Sequence, residues 1–311
     1  ATATSFSGWT FVGHPGKIFT DGLPYAFASF YALTIPFTGV LFIRRQWILG
    51  KAFKYITPGE MYSDYYGGNA IRFLTVLVAF LFSVPYLGVQ LRASGDLFNI
   101  ITDGLVPVNF GMIALSTVVV IYVASGGLRS VAYVDSAQCI LLAVGICVIG
   151  ITTIYFSGGW NNFISAFHEV VNKDLVNKNN LTPSGHSSLV AIPGSIQFVS
   201  NGSKSIGGPW TGMMCLTYMF ALMGIQASPA FSMWAFSNKN SSAFRWQQVV
   251  ASSLIIGIIL FTFTIIQGIG GHVLVLNDVI QNVNDKNLVP GLRLFSKDRS
   301  LALSAWFSCL E

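Results

Sequence analysis

SFSGWTFVGHPG, residues 5–16, opens an apolar run and then interrupts it: Gly8, Gly13 and Gly16 loosen the backbone, and Pro15 has no amide to donate. A second interruption of the same kind, GIQASP at residues 224–229, lies inside a stretch that carries no charge from Ser205 to Asn238. Lipid supplies no partner for an unpaired peptide group. Such a break therefore survives at membrane depth only where protein or a water-filled cavity satisfies it, and that makes it a candidate ligand site.

The surrounding composition is that of an all-α polytopic membrane protein. Hydrophobic residues make up 53% of the chain and charged residues 9%, with a mean hydropathy of +0.62, whereas an ordinary soluble domain carries about 25% charged residues. A bilayer core about 30 Å thick takes about 20 apolar helical residues to cross. That template predicts seven spans: residues 1–20 (interrupted), 22–43, 73–101, 106–125, 131–156, 209–236 and 246–276, with an eighth beginning near Ser300. The chain opens at Ala1 without a methionine, shows no secretory signal there, and ends at Glu311 just after the eighth apolar segment has begun. A piece of a longer protein is expected.

Basic residues assign the sides. Arg44, Arg45, Lys51, Lys54 and Arg72 flank one connection, Arg129 follows the fourth span, and Lys239 and Arg245 follow the sixth, which places these loops in the cytoplasm. The net charge of +5 and pI of 9.0 do not mark a nucleic-acid binder, because the cations are scattered over connections and form no basic face. Residues 157–208 read as an extracytoplasmic loop containing a short amphipathic helix, residues 160–171, expected on the membrane surface. Cys139, Cys147, Cys215 and Cys309 lie in apolar segments without metal or redox spacing.

In the first break, Ser5, Ser7 and Thr10 surround Gly8 and Gly13. Carbonyls freed by unwinding can replace water around sodium, and a half-helix N-terminus attracts an anionic group. The plainer alternative is a kink that only improves packing. In the second break Gln226 can orient a substrate or simply bridge two helices. Arg92 and Asp96 stand four residues apart and are expected to neutralise each other, whereas Asp135 has no partner at helical spacing beyond Arg129. His14 and His272 lack the spacing of a metal pair, and no nucleophile with its base is visible, so enzymatic chemistry is not expected. Breaks in corresponding halves point to a secondary transporter with a site between inverted repeats.

GGLRSVAYVDSAQ, residues 126–138, resembles the signature of the sodium:solute symporter family, in which a cytoplasmic Gly-Gly turn leads into a helix carrying Asp and Gln. In family order, residues 5–16 are similar to the first core helix of proline-transporting members, TPGEMYSDYYGG at 57–68 to the segment before the third, and residues 224–245 to the sixth and its exit loop. The resemblance implies a core of five plus five inverted helices with discontinuous first and sixth helices. Residues 1–156 would be the first repeat, 157–208 the external loop and 209–311 a partial second repeat. It implies sodium as coupling ion, bound by the carbonyls of Ala3 and Phe6 and by hydroxyls beyond Glu311, with Asp135 assisting release. Ser7, Gly8, Trp9, Thr10 and Gln226 would line the solute site.

Departures from the family narrow the solute. Ser5 replaces an Asp of proline-transporting members, Tyr31 a Glu of sugar-transporting ones and Leu222 their gating Tyr. A sugar is disfavoured, and an amino acid, organic acid or compatible solute remains. The expected protein is a sodium-coupled symporter of the bacterial inner membrane, with solute, sodium and the bilayer as partners and no nucleic acid. The competing expectation is a solute-sensing membrane module of a signalling protein. A passive channel is disfavoured, since no repeated pore loop or charged ring is present.

Overall fold

A computed structural model describes residues 9–28, 31–102, 104–172, 212–223, 228–246, 250–251 and 257–279, and every regular element among them is helical. The first span starts as a wide π-helical turn, Trp9–Gly13, that runs into α1 (His14–Asp21). Pro15 stands in the first turn of α1, where a missing amide removes no helical bond. Gly22 ends α1 at a φ of 73°, a conformation that side-chain-bearing residues avoid, and its amide bonds the Ile18 carbonyl at 2.7 Å. Then follow α2 (Leu23–Ala28) and α3 (Tyr31–Phe53).

Helix α3 runs ten residues past the expected end at Ile43, so Arg44, Arg45 and Lys51 are helical and not in a loop. Residues 41–53 contain no proline, and Ile43, Gln46, Trp47 and Gly50 recur at helical spacing along the face that packs on α10 (Pro229–Ser237). Thr57 then starts α4 (Pro58–Tyr66) with a capping box: its hydroxyl accepts from the Glu60 amide, and the Glu60 carboxylate accepts from the Thr57 amide.

The next two elements form a long hairpin. Helix α5 (Asn69–Ile101) meets α6 (Val108–Gly127), and at their crossing a Cβ on Gly95 would come within 2.5 Å of the Val108 carbonyl oxygen. Small residues allow this approach. Gly127 sits at φ 60°, ψ −163°, and separates α6 from α7 (Arg129–Phe156), as the Gly-Gly turn of the sequence predicts. Arg92 Nε donates to Asp96 at 3.1 Å, so this expected pair forms.

Helix α8 (Trp160–Asn172) occupies the residues expected for the amphipathic helix. Its Phe163 and Val170 are buried, and α8 packs on α12 (Ile258–Leu276), so protein rather than lipid covers that face. The expected sixth span divides into α9 (Gly212–Met223) and α10, and Ser228, immediately before α10, is extended. A four-residue α11 (Ser242–Arg245) follows. Among the described residues, four helices, α5 as far as Asn99, α6, α7 and α12, are long and apolar enough to cross a membrane. Helix α12 is the hub, packing on α1, α7 and α8.

Candidate functional site

Six positions of the expected site, Ala3, Phe6, Ser7, Gly8, Gln226 and the side chain of Trp9, lie outside the described residues. The backbone of Trp9 and the whole of Thr10 open the π-helical turn. A π-turn widens the helix and disturbs the regular bonding ladder, a feature concentrated at functional sites. Phe11 in this turn faces α7, where a Cβ on Gly145 would lie 3.6 Å from its ring.

Helix α1 is enclosed, with His14, Pro15, Gly16, Ile18, Phe19 and Asp21 all buried. Enclosure in a membrane protein requires that its polar groups find protein partners. His14 Nδ1 lies 3.0 Å from Thr264 Oγ1 on α12, whose own hydroxyl donates to the Leu260 carbonyl. His272 Nε2 donates to the Phe19 carbonyl at 2.7 Å, and the two rings stack with centroids 3.9 Å apart. That carbonyl belongs to the last turn of α1, where helical partners run out, so His272 caps the helix from its neighbour. Asp21, fully buried, is paired with Lys17 Nζ at 2.9 Å. Gln267 Nε2 donates to the Ile146 carbonyl of α7 at 2.9 Å, tying α12 to a third helix.

The second break is described from Ser228 onward, where α10 packs on α3 and α4. Ser228 caps α10 in an extended conformation, Pro229 occupies the first turn, and the Ser228 hydroxyl is buried with no hydrogen-bond partner among the described residues. A helix N-terminus with an unsatisfied hydroxyl suits an acceptor group, next to the segment that carries Gln226. The two interrupted spans are joined through α2 and α9: Cys215 Sγ donates to the Pro24 carbonyl at 3.6 Å, and the rings of Tyr25 and Tyr218 meet edge-on at 6.4 Å. Tyr25 also lies 5.5 Å from the His14 ring. A continuous line of His14, Tyr25 and Tyr218 therefore runs from the first span to the sixth.

Asp135 stands apart from this group. It is half-buried on α7, with no ion pair or hydrogen bond to another described residue, ten residues before Gly145. Ten residues of helix amount to about 15 Å. Asp135 therefore lies about two to three helical turns along α7 from the Phe11 contact.

Sequence reading missed the α1–α12 interface. His14 and His272 fail only as a metal pair; each instead bonds the opposite helix. A signal existed: Thr264, Gln267, Gly268 and Gly271 recur at helical spacing in an otherwise apolar span and mark one small, polar face.

The comparisons agree with the geometry. The model of the sodium:solute symporter family matches residues 1–291. The uncharacterized symporter YodF of Bacillus subtilis (strain 168) is 23% identical over 78% of this chain and 44% of its own length. The sodium/pantothenate symporter of Escherichia coli (strain K12) is 23% identical over 70% and 44%, and the high-affinity proline transporter PutP of Bacillus subtilis 25% over 55% and 36%. The chain spans less than half the length of these relatives. Its ordered motifs, its Gly-Gly break before the Asp135 helix and a family match across nearly its whole length lead to one conclusion: this integral membrane chain belongs to the sodium:solute symporter family.

Proposed function

We propose that the protein carrying this chain is a sodium-coupled symporter of a small polar organic solute. The observation that carries the reading is the family match over residues 1–291 on a chain with two interrupted spans joined side by side. In this reading residues 1–156 are the first inverted repeat, 157–208 the external loop and 209–311 part of the second. Sodium is cargo: carbonyls at Ala3 and Phe6 coordinate it, and Asp135 draws it toward the cytoplasm on release. Ser7, Gly8, Trp9 and Thr10 face the solute from the first span, and Gln226 from the sixth. The partially bonded N-terminus at Ser228 favours a solute with a carboxylate or another acceptor group.

Pantothenate and proline, the solutes that name two relatives, both carry a carboxylate, which fits that expectation. Alternating access then follows from rocking of the two repeats about the broken helices. The membrane potential contributes about 2.3 kcal/mol per charge per 100 mV to inward sodium movement. The test is uptake by the full-length protein in proteoliposomes, with a panel of amino acids, carboxylates and compatible solutes, under a sodium gradient or with choline instead. Sodium-dependent accumulation of one class is expected. Uptake that is indifferent to the choline exchange would sink the proposal.

A further inference from the structure

Arg44 and Arg45 sit where neither topology signals nor protein contacts explain them fully. They lie nine and eight residues before the end of α3, about 13 Å inside it. Counting 100° per residue, Leu41, Arg44, Arg45, Ile48, Leu49 and Lys51 share the face of α3 turned away from α10. The apolar members of this face are open: Leu41 is 61% exposed, Ile48 49% and Leu49 39%. The two guanidinium groups are exposed as well. They are thus embedded between exposed apolar side chains on both sides.

The protein offers them no anion among the described residues. Helix α3 contains no Asp or Glu, nor do α10 and α11, which pack on it. The nearest carboxylates in sequence are engaged: Glu60 caps α4 and pairs with Arg72 at 3.6 Å, and Asp64 accepts from the Tyr55 hydroxyl at 2.7 Å. Lys54, held at a φ of 60°, adds a further cation at the corner beside exposed Phe53 and Ile56. Two adjacent guanidinium groups at an apolar boundary, with no ion pair among the described residues, call for an anion that itself lies at that boundary. A phosphodiester does, and Arg binds it through two parallel hydrogen bonds.

We propose that the Arg44–Arg45 face of α3, with Lys51 and Lys54, is a docking site for the headgroup of an anionic phospholipid, whose acyl chains cover Leu41, Ile48 and Leu49. Bound there, the lipid braces α3 and, through its opposite face, α10. Gln46 Nε2 donates to Ser232 Oγ at 3.1 Å, and Trp47 Nε1 donates to the Asn238 carbonyl at 2.9 Å. The site therefore couples membrane charge to the second half of the sixth span, independently of which solute is carried.

Native mass spectrometry of the full-length protein in equimolar phosphatidylglycerol and phosphatidylcholine micelles tests this. Retained phosphatidylglycerol should exceed phosphatidylcholine by about fivefold or more, the preference that one interfacial cation supplies. Arg44→Gln with Arg45→Gln should abolish the preference, whereas Lys173→Gln with Lys178→Gln, an equal loss of charge elsewhere, should leave it. Equal retention of the two lipids by the unmodified protein overturns the proposal even if the double variant fails to fold. Persistence of the preference in a folded double variant also overturns it. Millimolar inorganic phosphate should leave the bound lipid in place, and its displacement would identify a site for a soluble anion and overturn the assignment.

Discussion

Helix α12 and the α5–α6 hairpin are both strongly apolar, yet they solve opposite problems. In their most apolar eighteen-residue windows, 56% of α12 is buried against none of α5 and 6% of α6. The hairpin leaves its side chains open, with Phe80 and Leu81 of α5 and Val120 and Ile121 of α6 exposed, and its described helices meet closely at Gly95 and Gly111. Helix α12 instead meets protein on several sides, and Thr264, Gln267 and His272 give it bonds to α1 and α7. Hydropathy measures what a segment tolerates. Polar and glycine positions tell which of two tolerant segments is enclosed, because only an enclosed helix can hold paired polar groups in a bilayer.

Gly268→Leu is the strongest way to break this contrast. A Cβ at Gly268 would lie 2.6 Å from Ile18 Cβ and 2.8 Å from the Pro15 carbonyl oxygen, and the backbone atom cannot swing aside. We expect a loss of about 3 kcal/mol, seen as aggregated or absent material on size exclusion. A monodisperse variant with an unchanged thermal midpoint would mean that α1 and α12 do not touch.

The hairpin should respond in the same way, but more mildly, at its crossing. Gly95→Ala presses on the Val108 carbonyl, and because lipid lets the pair separate we expect about 1–2 kcal/mol and a modest fall in the midpoint. A rise in stability would show that the helices cross elsewhere.

Asp135→Asn probes α7, which belongs to both neighbourhoods. The protein should stay folded, while sodium-dependent uptake falls about tenfold, equivalent to about 1.4 kcal/mol. Uptake within twofold of the unmodified protein at limiting sodium, about 0.4 kcal/mol, would remove Asp135 from the ion path.

Smaller changes sharpen the comparison. Thr264→Val removes the His14 partner and should cost about 0.6–1.7 kcal/mol, the range for hydrogen bonds between membrane helices. Val120→Ala on α6, where Val120 is 65% exposed, should change stability by less than about 0.5 kcal/mol. If the two midpoints shifted equally, the distinction between enclosed and lipid-facing helices would fail.

Much of this was legible from local chemistry. The Gly127 turn, the Arg92–Asp96 pair and the helix from Trp160 follow from residues at most a few positions apart. Gly and Pro drew attention to residues 5–16 and 224–229; of these, residues 9–16 form a π-turn that runs into α1, Ser228 is extended, and residues 5–8 and 224–227 lie outside the described residues. The end of α3 was misjudged because Arg44 and Arg45 read as a loop, whereas packing of Gln46, Trp47 and Gly50 on α10 holds the helix to Phe53. Similarly, the apolar face of α8 predicted a surface, and only the fold supplied α12 to cover it.

Hydropathy, glycine, proline and charge along the chain determined by themselves that it is helical and membrane-spanning, since each of these depends on a residue and its near neighbours. Which helices enclose the first break was decided only in three dimensions. His14 and Thr264 are 250 positions apart and His272 and Phe19 are 253, and at such separations sequence spacing carries no signal for a hydrogen bond. The same donors on a lipid-facing helix would have been costs, and on α1 and α12 they became the joint between two spans because each met a partner where water could not compete.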